Sequence, residues 1–424
     1  MEYLWLSALG RFGLLAAVAT LFACLLRRCG VPGGRPAASV AGGLLAGVLL
    51  GPMVLPAISP QAHATLFRGE SEAQAELERV RDEHRRELEV LARTGVSPEA
   101  VEEHRAGQRD LEDRLAVEAR VERARFQRPS RILAAVLLGV TLLGVGIASR
   151  VPRARRVPES LGSQEEAPVG PRREQGVVAA AMCSVILATL MTATLAAWLL
   201  GIEVQRAVAI GGFAAAGSAF SHLPMRWIGA RGRTSGAAVY GSASLFFAAI
   251  LIALTLAQGQ STWILAPAFG WVVGRSASTA RPMSRRARRV LRALVVCVGV
   301  PTLVAWLVAQ IDAGSFAFGG WAFVVASVLL AGCGHWIGAV LAIHAGGSDD
   351  LRYQASGWWL EAHARGVPIT QACAAVACVA AGVLDPMHVP ADAALAAGLL
   401  LAGLATDLSV PMLRRVFAWS NELS

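Results

Sequence analysis

The chain returns again and again to runs of about 20 residues that carry no charge, the length an α-helix needs to cross ~30 Å of hydrocarbon. That recurrence limits the fold more than any motif does. In lipid each backbone N–H and C=O must find its partner inside the protein, and a helix satisfies this within one segment. The short alternating segments that would announce a β-barrel are absent from the sequence. With 55% apolar and 16% charged residues and a mean hydropathy of +0.51, the composition is too apolar for a soluble domain of this size. The expected class is an all-α polytopic membrane protein.

Eleven spans are predicted, at 5–26, 37–58, 131–150, 177–200, 205–224, 234–257, 261–275, 290–312, 317–344, 355–383 and 391–413. If the connections alternate sides, one side collects Arg27, Arg28 and Arg35, then Arg150, Arg153, Arg155, Arg156, Arg172 and Arg173. It also collects Arg226, Arg231, Arg233, the run from Arg275 through Arg292, and finally Arg352, Arg414 and Arg415. The other side has bare connections such as Gln258-Gly259-Gln260-Ser261 and Ala313-Gly314-Ser315. The positive-inside rule then puts the C-terminus in the cytoplasm and the N-terminus outside, in an inner (cytoplasmic) membrane. Losing one span would scatter the later arginines over both sides, so the asymmetry supports an odd count. The first run lacks a small-residue cleavage site and is expected to stay as a helix. A formal charge of +9 and a pI near 9.9 would suggest nucleic acid in a soluble protein. Here the basic residues sit in loops between spans, so no nucleic-acid partner is expected and the lipid bilayer is.

Residues 59–130 are of another kind, dense in Glu, Asp and Arg, and they divide the chain into 1–58, 59–130 and 131–417. Ala73, Leu77, Val80, His84, Leu88 and Leu91 follow three-four spacing, a narrow apolar seam on a charged helix. Thr94-Gly95-Val96-Ser97-Pro98 interrupts it, with Ser97 as an N-cap and Pro98 at the first helical position. A second seam is expected through Val101, Leu111, Leu115 and Val121. Together these predict an antiparallel helical hairpin of about 35 Å, standing outside the membrane. It reads as a solvated spacer or as a docking or dimerisation arm. The seven cysteines lie mostly in apolar runs without CxxC spacing, so neither a disulfide framework nor a metal site is expected, and no cofactor.

Glycines in Val40-Ala41-Gly42-Gly43-Leu44-Leu45-Ala46-Gly47-Val48-Leu49-Leu50-Gly51-Pro52 allow close approach of a neighbouring helix. The stretch also resembles the Gly-Tyr-x-x-Ala-Gly-x-x-x-Gly-Pro segment of the monovalent cation:proton antiporter-2 family, in the sodium/hydrogen exchanger superfamily. Further resemblances follow in the family's order: Pro301 through Asp312, Gly334-His335-Trp336-Ile337-Gly338-Ala339, and His363-Ala364-Arg365-Gly366. They extend over nearly all of the chain except the hairpin. The resemblance implies inverted repeats with two discontinuous helices crossing near the midplane, a dimerising scaffold, and exchange of a monovalent cation against protons. Half-helix ends and freed carbonyls would surround the ion. Gly211 through Ser218, including Gly217 and Ser218, is the first candidate break, or a tight packing interface; the stretch around Arg365-Gly366 before Pro368 is the second.

One departure is specific. Where the family has an Asn-Asp or Asp-Asp pair, aligning Ala237-Ala238-Val239-Tyr240 leaves Gly241 and Ser242, and no acid occurs from 207 to 311. His335 stands where many relatives have Lys; an imidazole there could shuttle a proton or pack between helices. Glu361, Asp407 and Asp312 are candidate replacement carboxylates. Glu361 can also pair with Arg365 one turn on. Arg365, an intramembrane charge, needs a partner or a wet cavity. The sequence therefore leaves a cation:proton exchanger, a retired exchanger that senses or assembles through its hairpin, and, last, an enzyme, for which the spans offer no paired acids.

Overall fold

A computed structural model describes residues 2–30, 34–63, 66, 72–94, 98–148, 186, 189–198, 201–220, 284–311, 368–387 and 389–405. The described elements are helical throughout, with no strand among them. They are α1 Glu2–Arg28, α2 Gly34–Leu50, the single turns α3 Leu55–Ile58 and α4 Pro60–His63, α5 Glu72–Arg93 and α6 Pro98–Ala148. These are followed by a helical stretch at 189–198 and by α7 Val204–Phe220. α8 Arg285–Leu294 runs through a π-helical turn Val295–Gly299 into α9 Val300–Val308. Two shorter apolar helices, α10 Pro368–Ala380 and α11 Pro390–Ala405, complete the set. Among the described residues, three segments are long and apolar enough to cross a membrane: Leu4–Arg28, Ala37–Ile58 and Arg289–Val308.

Glycine spacing sets how these three pack. A Cβ on Gly43 would lie 2.4 Å from the Pro301 carbonyl oxygen, one on Gly47 2.8 Å from that of Ala305, and one on Gly51 3.0 Å from the Ala309 Cα. A stripe at i, i+4 and i+8 on α2 thus lies directly on the backbone of α9. On the adjoining face, Gly42 would meet the Ala23 backbone nitrogen of α1 at 2.5 Å. Two of the stretches singled out in the sequence, Val40 to Pro52 and the described part of the other from Pro301 to Ile311, are therefore pressed against each other. Trp306 of α9 is almost wholly buried, stacks on Phe12 of α1 at 6.3 Å between centroids, and donates its indole N–H to Ser130 Oγ at 2.8 Å.

The hairpin is present, and its second arm does not stop at the membrane boundary drawn from composition. α6 is one helix of 51 residues with Pro129 inside it, passing from the charged insertion into the apolar stretch that begins at Ile132. At 1.5 Å per residue it is about 77 Å long. Its far end packs on the π turn, where a Cβ on Gly299 would reach Thr141 Oγ1 at 2.7 Å.

Between the arms, Leu77, His84 and Ala119 are buried. His84 Nδ1 lies 2.5 Å from Glu112 Oε1, and Gln108 donates to Glu87 Oε2 at 2.6 Å. The Gln108 bond, and then that from His104, hold the Glu87 carboxyl below the usual glutamate range. The second seam needs correction: Leu111 and Val121 are exposed. The face turned to α5 carries His104, Gln108, Glu112 and Ala119; Val121 lies well round the helix from that face and Leu111 at its edge.

Candidate functional site

Of the residues singled out in the sequence, Gly217 and Ser218 lie on α7, while Gly241, Ser242, His335, Glu361, Arg365, Gly366, Asp312 and Asp407 lie outside the described residues. The first expected break is not there: α7 is continuous from Val204 to Phe220. Gly211 serves close packing, the other reading of that stretch, since a Cβ there would lie 2.4 Å from the Thr189 carbonyl oxygen. Following the second candidate break, α10 begins at Pro368, a residue suited to a first helical turn because it lacks only an N–H that would be unbonded there. α10 reaches the middle of α7. Gln371 Nε2 donates to the Ala214 carbonyl oxygen at 3.1 Å, and its Oε1 is buried with no partner among the described residues. Thr189 Oγ1 is buried and unpartnered as well. α10 and the middle of α7 are thus neighbours, with uncharged oxygens beside their contact.

The strongest electrostatic feature sits one helix end away. α10 closes with Gly382 at φ +75°, while Gly382 N–H bonds to Val379 O at 3.0 Å and Val383 N–H to Cys378 O at 2.9 Å. This 6→1 and 5→2 pairing is a glycine helix stop that turns the chain back sharply. The turn exposes the Val383 carbonyl to Arg206 of α7, whose Nε donates to it at 2.7 Å.

Pro390 then opens α11, and Asp392 falls in its first turn, where the helix dipole favours a negative charge. The Asp392 side chain is fully buried. Its Oδ2 accepts a hydrogen bond from Arg206 Nη2 and another from the Asp385 backbone N–H at 2.7 Å, whereas Oδ1 has no partner among the described residues.

The hairpin root joins the same cluster. Arg131 of α6 lies 3.4 Å from Asp385 Oδ1 and donates to Gln127 Oε1 at 3.2 Å, and Gln127 contacts Met387 Sδ at 2.7 Å. Arg11 of α1 is buried over the Phe126 ring, 4.1 Å from its centroid. α1, α6, α7 and the turn between α10 and α11 therefore meet at one end, the end that alternation of spans assigns to the hairpin side.

Arg206, Asp392, Arg11 and Gln371 went unnoticed in the sequence. The signal was available for the first two, an arginine and an acid each within a few residues of a span's edge. Nothing in the sequence paired them across 186 positions. Chemically, the cluster offers a carboxylate withdrawn from water, neutralised by one guanidinium and retaining a free oxygen. Breaking the Arg206 contact would leave an uncompensated buried charge, so any event that separates the two must bring a proton or a cation to Asp392. No family model, curated protein or solved structure matches the chain. What the described elements define is an all-α protein with helices fit to cross a membrane.

Proposed function

We propose that the chain is a secondary transporter of the cation:proton antiporter kind, exchanging sodium or potassium for protons across an inner membrane. In this reading the hairpin stands outside and the arginine-rich ends face the cytoplasm. The observation that carries it is Asp392, fully buried, with one oxygen held by Arg206 and Asp385 N–H and the other free. A proton and a small cation can compete for such a group. It supplies the acid that Gly241 and Ser242 lack, and the contact of Gln371 with Ala214 adds neutral oxygens further along α7.

The test is dissipation of a preset pH gradient in proteoliposomes on adding sodium, potassium or lithium. Cation-dependent flux in the wild type that disappears in Asp392→Asn is expected. Undiminished flux in Asp392→Asn would remove Asp392 from the mechanism.

A second reading is a retired exchanger that acts through its hairpin, favoured by the unbroken run of α6 from the charged arm into the bundle. Absence of flux in the wild type, with flux gained in Gly241→Asp/Ser242→Asp, would select it.

A further inference from the structure

The arginines at the opposite end of the bundle take no part in that site. Positions 285, 286, 288, 289 and 292 are all arginine. With 3.6 residues per turn this spacing gathers them on one face of α8 and places Ala287, Val290, Leu291 and Leu294 on the other. Ser284 starts the helix by accepting the Ala287 N–H at 3.2 Å.

Of the apolar face only part is used within the bundle. Leu291 lies against α6, with its Cδ1 3.4 Å from where a Cβ on Gly144 would sit, while Val290 and Leu294 remain 55% and 54% exposed. Arg286 and Arg289 are exposed and form no ion pair among the described residues. No acid occurs in the sequence between 207 and 311.

Two further facts locate this cluster. α8 continues through the π turn into α9, so the helix rises about 29 Å from Arg289 to Val308, close to the ~30 Å of a bilayer's hydrocarbon. α1 ends beside it with Arg27 and Arg28, and Arg27 Nη1 donates to Cys297 Sγ at 2.5 Å. Two separate helices thus bring arginines with no carboxylate partner among the described residues to the same end of the bundle, next to exposed aliphatic side chains.

We propose that α8 and the end of α1 form a binding site for anionic phospholipid headgroups. The guanidinium groups take the phosphate oxygens, and Val290 and Leu294 lie against the acyl chains. The inference rests on the membrane reading of these helices and is independent of transport.

It is tested on the full-length protein in detergent by native mass spectrometry, titrating phosphatidylglycerol and phosphatidylcholine of identical chains and taking the ratio of apparent affinities. A preference for phosphatidylglycerol is expected, reduced about five-fold for each arginine removed in Arg286→Gln/Arg289→Gln. Arg286→Lys/Arg289→Lys, which retains the charge, should keep most of it. No preference in the wild type, or the same preference in the glutamine variant, would overturn the site. So would equal loss in the lysine and glutamine variants. If millimolar inorganic phosphate abolishes the preference, the arginines bind free phosphate, and the lipid proposal fails.

Discussion

The two ends of the helical bundle use arginine in opposite ways. At the hairpin end Arg131 and Arg206 each face an aspartate, Asp385 from the turn between α10 and α11 and Asp392 from the first turn of α11. At the other end Arg27, Arg28, Arg286 and Arg289 have no carboxylate partner among the described residues. Paired charges in a low-dielectric setting hold elements in one arrangement, because separating them strands a buried charge. Unpaired charges at a headgroup level lock nothing internally and answer to an external surface. On the proposed membrane reading, the same residue type fastens helices at one end and orients the molecule at the other.

The largest effect expected from this contrast is in Arg206→Ala, which should cost about 3–5 kcal/mol in denaturant unfolding because Asp392 is left buried and unpaired. Arg206→Leu/Asp392→Leu should recover most of that loss, since removing both charges removes the penalty. If the single variant is as stable as the wild type, the lock does not exist. Gly43→Ala should follow at about 1–3 kcal/mol, because its new methyl meets the Pro301 carbonyl and α2 must move off α9. Arg131→Gln should cost at most about 1 kcal/mol, because its pair with Asp385 is longer and partly exposed on both sides. Arg286→Gln at the unpaired end should change stability by no more than about 0.5 kcal/mol, which sharpens the comparison with Arg206.

The smallest effect concerns pH in the hairpin. Glu87 has its carboxyl lowered in the folded state by Gln108 and His104, so its contribution is present above the ordinary glutamate range and is lost as pH falls through the lowered folded value. Hydrogen exchange of the 84–108 amides, read as the difference between wild type and Glu87→Gln at each pH, should show protection at pH 6 that vanishes in strong acid. A difference that grows on acidification would reverse the assignment.

Much of the scaffold could be read from the sequence, because hydropathy and glycine spacing act locally. The apolar segments 5–26 and 37–58, the hairpin's first seam and the tight face of Val40 to Pro52 all depend on neighbours within a few turns. The continuity of α6 was hidden by a change in composition at residue 130 and by Pro129. Proline removes one helical bond and usually marks a boundary, but here the helix passes through it. The expected opening at Gly211 to Ser218 failed for a related reason: small residues permit either a broken backbone or a close neighbour, and Thr189 is that neighbour. Asp392 and Arg206 could not be joined from sequence, since only the glycine stop at Gly382 brings Val383 and Asp385 around to meet them.

In the proposed topology the paired and unpaired ends lie on opposite faces of a membrane. Single cysteines placed at Ala106 of the hairpin and Ala287 of α8, in a background freed of the seven native cysteines, can be probed in intact cells with a membrane-impermeant thiol reagent. The account predicts that the cysteine at 106 reacts from outside and that the one at 287 reacts only after the cells are permeabilised. Labelling of both from the same side would contradict it.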